Sequence, residues 1–228
     1  MTAPIAVALD APDLATACAW ARAAGPHVST MKVGLELFLR HGHDAVHAVR
    51  EASGGRDLFL DLKLHDIPHT VAGAAAAVAG LAPTYLTVHA SGGPAMVRAA
   101  VDALPDTRVV GVTVLTSLSA EELAAIGFAR SPLDSVRRLA VLAVEGGARA
   151  LVCSPWEVAA VRREVGKDVH LITPGVRPAG TNTGDDQSRV ATPAQALADG
   201  ADLLVIGRPI TGAADVAAAA GDIAMSLH

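Results

Sequence analysis

Residues 57–70 read DLFLDLKLHDIPHT. The first eight alternate as a strand does. Leu58, Leu60, Leu62 and Leu64 share one face, and Phe59, Asp61 and Lys63 share the other. The leucine face suits packing against helices. The other face starts apolar and turns charged toward the strand's C-terminal end. Asp66 follows beyond the strand, where alternation no longer constrains it. Two carboxylates and an ammonium within six residues are costly in an apolar segment unless they are paired. Lys32 ends the preceding apolar run and can sit beside them. Lys32, Asp61, Lys63 and Asp66 then form a neutral alternating array. Such an array is either an ion-pair network that fixes strand register or a reactive site.

Seven further short apolar runs flank this one: IAVALD (5–10), STMKVG (29–34), YLTVHA (85–90), RVVGVTVLT (108–116), ALVCSP (150–155), HLITPGV (170–176) and LLVIGR (203–208). Ala-rich segments with helical spacing lie between them. Asp, Ser, Thr or Pro opens many of these segments and Gly closes many. Eight strand–helix units without a linker predict an α/β fold, a (β/α)8 TIM barrel, as a single domain over residues 1–228. A doubly wound open sheet is the alternative. No G-x-G-x-x-G follows the first strand, which argues against it.

In a barrel of this kind, chemistry gathers at the C-terminal ends of the strands. The polar residues ending the eight runs are Asp10, Lys32, Asp61 with Lys63 and Asp66, His89, Thr116 with Ser117, Ser154, Arg177, and Gly207 with Arg208. Charged residues ending several different strands can converge on one mouth.

Composition narrows the function classes. The formal charge of −5 is spread along the chain, with no basic block or aromatic–basic interleaving to suit nucleic acid. No apolar run reaches membrane-spanning length, and the N-terminus has no leader-like charged and apolar regions. Cys18 and Cys153 form neither a disulfide framework nor a metal spacing. A soluble cytoplasmic protein with two free thiols is expected. His43 and His47 stand four residues apart on a predicted helix. No Glu completes an H-E-x-x-H motif, so they read as surface residues.

The stretch DLKLHDIPHT resembles the D-x-K-x-x-D-I-P-x-T signature of the orotidine 5'-monophosphate decarboxylases. ALD, MKVG, VTVLTS, TPGVRP, DDQSRVATP and VIGRPI follow the same family in order, over nearly the whole chain. Sugar-phosphate decarboxylases and aldolases on the same barrel share D-x-K-x-x-D but are expected to lack I-P-x-T. The resemblance implies cofactor-independent decarboxylation of orotidine 5'-monophosphate to UMP, with no metal. It implies a catalytic tetrad of Lys32, Asp61, Lys63 and Asp66, with Lys63 as proton donor. It implies ribose contacts from Asp10 and Thr70, with Ile67 beside them in the motif. Thr116 and Ser117 then lie near the pyrimidine. Arg177, Gln187, Gly207 and Arg208 hold the phosphate, and the 180–186 segment GTNTGDD forms a lid. A homodimer with shared active sites is implied, because Asp66 and Thr70 reach the neighbouring subunit's site. The rivals are a Mg2+-dependent sugar-phosphate lyase and a non-catalytic nucleotide-binding protein.

Overall fold

The structure, a computed structural model, describes residues 2–177 and 191–227. Strands β1 (Ala3–Ala8), β2 (Val28–Gly34), β3 (Asp57–Leu64), β4 (Tyr85–His89), β5 (Arg108–Val112), β6 (Ala150–Val152), β7 (His170–Thr173) and β8 (Leu203–Ile206) pair in chain order. All pairs are parallel, and β8 returns to β1 to close the barrel. The predicted (β/α)8 barrel is therefore the observed fold.

Among the described residues, the outer layer is built from α1 (Leu14–Ala24), α2 (Leu35–Ala52), α3 (Pro68–Ala77), α4 (Gly93–Ala103), α5 (Ala120–Ala125), α6 (Pro132–Glu145), α7 (Val158–Val165), α8 (Pro193–Ala198), α9 (Arg208–Thr211) and α10 (Val216–Met225). Their starts are written locally. Asp13, Ser119, Ser131, Thr192 and Asp215 each accept a hydrogen bond from a first-turn amide. Ser119 and Glu122 complete a reciprocal capping box. None of the helices is long and apolar enough to cross a membrane, among the described residues.

Two cores result. The larger lies between strands and helices, and takes Leu58 and Leu60 of β3. The smaller fills the barrel itself with Ala6, Phe59, Tyr85, Val110, Ala150, Ile172 and Leu203. Phe59 and Tyr85 meet with ring centroids 5.7 Å apart and tilted by 54°. Leu62 and Leu64 pack partly buried against the outer core, as alternation predicts.

Several strands are shorter than their apolar runs. β5 stops at Val112, β7 at Thr173 and β8 at Ile206. Beyond these points the chain leaves the ladder, so Thr116, Ser117 and Arg177 come from loops at the mouth. Cys18 is half-buried, Cys153 is fully buried, and both thiols are free. Burial pushes both thiols up from their ordinary pKa.

Candidate active site

A cavity of about 400 Å³ opens at the C-terminal end of the barrel. Its floor is apolar, from Ala8, Phe59, Val112, Val152 and Val205. Its polar lining includes Asp10, Lys32, Asp61, Lys63, Thr116, Ser117, Arg177, Gly207 and Arg208. All nine were singled out from the sequence, and they come from strand ends spread around the barrel.

Asp61 is the hub. It is 8% exposed, and Lys32 beside it is 7% exposed. Lys32 Nζ donates to Asp61 Oδ2 at 3.1 Å. Lys63 Nζ donates to Asp61 Oδ1 at 2.8 Å. Asp10 Oδ1 lies 3.6 Å from Lys32 Nζ and stands at the more exposed rim. Burial by itself would lower the pKa of Lys32. The charges of Asp61 and Asp10 outweigh it and hold Lys32 above the ordinary lysine value. Burial would likewise raise Asp61, but Lys32 and Lys63 overcome it and hold the carboxyl below the ordinary range. Lys32 and Asp61 are thus both ionised at neutral pH, and the Lys63 side chain also lines the cavity.

Alternation alone does not aim Lys63. Its φ is +49°, in the left-handed region that costs an L-residue about 1 kcal/mol or more. The β3–β4 register breaks at the same place. Leu60 faces Leu86, but Leu64 faces Val88. Three β3 residues therefore stand opposite the single residue Thr87, which makes a two-residue bulge. The bulge turns the Lys63 backbone while both charges still line the cavity.

The other expected residues fall elsewhere. Asp66 is exposed and makes its hydrogen bond locally, accepting from the Ile67 amide at 2.6 Å. Ile67 is 64% exposed and Thr70 is exposed, and none of the three lines the cavity. Gln187 and the 180–186 segment lie outside the described residues. Ser154 is buried and does not line the cavity. His89 is half-buried against His65, with ring centroids 5.3 Å apart. His43 and His47 are exposed on α2, as expected.

Some site residues went unmarked in the sequence. A Cβ at Gly34 would lie 2.9 Å from Asp10 Oδ1 and 3.2 Å from Lys32 Nζ. The MKVG motif thus needs its glycine for close approach of the charged groups. Pro209 and Thr211 also line the cavity, three and five residues past the end of β8. Their closeness to Arg208 was the available signal.

The family model of the orotidine 5'-phosphate decarboxylase / HUMPS family matches residues 3–223. The chain belongs to that family. An orotidine 5'-phosphate decarboxylase of Thermobifida fusca is 68% identical, covering 100% of this chain and 97% of its own. One of Frankia casuarinae is 58% identical, covering 99% and 88%. The crystal structure of orotidine 5'-phosphate decarboxylase from Lactobacillus acidophilus superposes with a TM-score of 0.85 at 34% identity, over 99% of both chains. The family supplies a fold-wide match. The Lys32–Asp61–Lys63 array lies at the mouth of that fold.

Proposed function

We propose that this chain decarboxylates orotidine 5'-monophosphate to UMP, the last step of de novo pyrimidine nucleotide synthesis, in the cytoplasm. One observation carries the reading. A buried, ionised Lys32–Asp61 pair, with the half-buried Lys63 ammonium bonded to the same carboxylate, stands in a nucleotide-sized cavity that Arg177 and Arg208 also line. Membership of the family and the names of its 68% and 58% identical relatives support the same substrate.

Loss of CO2 from C6 leaves a carbanion in the pyrimidine plane, where the ring π-system stabilises it poorly. Preorganised charge must then do the work. Lys63 stabilises the developing negative charge and delivers the proton to C6. Asp61 stands near the departing carboxylate, and their like charges favour its loss. Lys32 holds Asp61 ionised and in place. Asp10 binds ribose, and Thr116 and Ser117 face the pyrimidine. The guanidinium groups of Arg177 and Arg208 suit the phosphate dianion, with Gly207 beside them and Gln187 joining them. Binding energy from the phosphate helps to exclude water from the reacting carbon. These roles require no electron-sink cofactor.

The working form is a homodimer. Residues His65 to Thr70 are all exposed directly beside the mouth, including the apolar Ile67. In a second copy's site, Asp66 would complete the charged array and Ile67 and Thr70 would meet the nucleotide.

The decisive assay is UMP formation from orotidine 5'-monophosphate with EDTA present. Turnover is expected to survive EDTA. Binding of UMP without turnover would overturn the reading, and loss of activity in EDTA would favour a metal-dependent sugar-phosphate lyase. Mixing Asp66→Asn and Lys63→Ala proteins is expected to restore activity, because one unaltered site forms in each heterodimer. Verified heterodimers that stay inactive would sink the shared site.

A further inference from the structure

We infer that Thr87 is a positioning residue for Lys63 and Asp61, an inference that rests on the decarboxylase reading above. Thr87 lies on the inner face of β4, is 0% exposed, and does not line the cavity. It touches no part of the space that a nucleotide would occupy, so it acts through the residues above it.

Its hydroxyl makes two directed hydrogen bonds. The Lys63 backbone amide donates to Thr87 Oγ1 at 2.8 Å. Thr87 Oγ1 donates in turn to Asp61 Oδ1 at 3.0 Å. That same carboxylate oxygen accepts Lys63 Nζ at 2.8 Å. The ring therefore runs from the Lys63 amide, through Thr87 and Asp61, to the Lys63 ammonium. One hydroxyl fixes the backbone and the head of the same lysine.

The position explains the need. Thr87 is the single β4 residue opposite the β3 bulge. The bulge holds Lys63 at φ +49°, and a residue in that region needs surrounding contacts to keep it there. The amide so displaced finds its acceptor in the Thr87 side chain. Only a group that accepts and donates at one atom completes this ring. Serine can do so. Valine has the shape but neither function, and alanine lacks both.

A β-branched residue in a buried strand is otherwise ordinary packing material. Were Thr87 only that, Thr87→Val would leave catalysis unchanged. The positioning role instead predicts a split. Thr87→Val is expected to lower kcat by about 100-fold, the scale of an ångström-level misplacement of a reacting group. KM for orotidine 5'-monophosphate is expected to stay within about 3-fold, since the phosphate and ribose contacts are untouched. Thr87→Ser is expected to recover kcat to within about 5-fold of the unaltered protein, as the hydroxyl returns.

A second readout does not depend on turnover. The chain has three lysines, Lys32, Lys63 and Lys167. Labelling lysine Cε with carbon-13 gives three resonances, assignable by single substitutions. The Lys63 resonance is expected to move in Thr87→Val, stay near its place in Thr87→Ser, and leave Lys167 unmoved in both. If Thr87→Val does not fold, Thr87→Ala against Thr87→Ser gives the same contrast. Equal kcat in the hydroxyl-bearing and hydroxyl-free variants, or an unmoved Lys63 resonance, overturns the inference. If the unaltered protein makes no UMP, the decarboxylase reading falls and the lysine spectra alone decide what Thr87 holds.

Discussion

At the mouth of the barrel, Lys32 and Asp61 are more than nine-tenths buried, and both are ionised. At the floor, Tyr85 is buried and His170 half-buried, and both are neutral. Burial opposes charge at each end. At the mouth, opposite charges at 2.8 and 3.1 Å overcome it. At the floor, burial is the leading cause and wins. It raises Tyr85 despite the neighbouring Arg108, whose guanidinium lies 5.8 Å over the Tyr85 ring, and it lowers His170, where the Arg108 charge acts in the same direction. Tyr85 Oη and His170 Nδ1 share only a long contact of 3.4 Å. His89 shows that pairing, not location, decides. It sits at the mouth end of β4 without a carboxylate partner of its own, and burial followed by His65 and Lys63 lowers its pKa. At the mouth, paired charge offsets burial, and that is where the chemistry is proposed.

The contrast can be broken at five residues. Lys63→Ala tests the mouth most severely. Loss of both proton donor and local charge is expected to cost about 10⁴-fold or more in kcat. UMP affinity, measured by calorimetry, should change only a few-fold, because the phosphate grip remains. Near-normal turnover would remove Lys63 from the reaction.

Asp61→Ala leaves Lys32 and Lys63 facing each other. Urea unfolding should show a loss of about 3 kcal/mol, the low end for breaking a buried pair, because Lys32 keeps Asp10. Tyr85→Phe at the floor should cost about 1 kcal/mol or less and leave kcat unchanged. Equal losses at the two ends would erase the contrast.

Gly34→Ala is expected to push Asp10 and Lys32 apart. Its new methyl group would stand 2.9 Å from Asp10 Oδ1. Steady-state kinetics should show KM rising by about 10-fold, or about 1.4 kcal/mol, with little loss of fold stability. An unchanged KM would mean that the neighbours yield freely.

The smallest effect is in pH. His170 and His89 have folded-state pKa values held below the ordinary value near 6.5. The unfolded chain takes up these protons more readily, so stability is full above that value and falls as the pH drops below it. Asp61 contributes stability above the ordinary aspartate range, and loses it only as the pH falls through its depressed folded value. Lys32 contributes below the ordinary lysine range, and loses it only as the pH rises through its raised folded value. Acid should therefore weaken the unpaired imidazoles before the paired array. His170→Asn should flatten the fall in urea-measured stability between about pH 7 and pH 5. An unchanged slope would contradict the assignment to the floor.

Much of the site was readable before the fold was known. Asp10, Lys32, Asp61, Lys63, Thr116, Ser117, Arg177, Gly207 and Arg208 were marked because they end apolar runs, and all line one cavity. Ile67 and Thr70 were marked by motif alone and Asp66 by its charge as well, and in the single chain all three stand outside it. Thr87 carried no signal. It sits 24 residues from Lys63 in an ordinary strand, and its partners meet only across the β3–β4 ladder.

Alternation and the eight apolar runs determined the barrel, because strand faces and helix stripes are local properties of the chain. They also set which end of each strand would be polar. Only the tertiary structure decided how Lys63 is aimed. Two strands of unequal local length must share one ladder, and within the excess stretch Lys63 takes φ +49°. That mismatch belongs to neither strand alone, so no single stretch of sequence contains it.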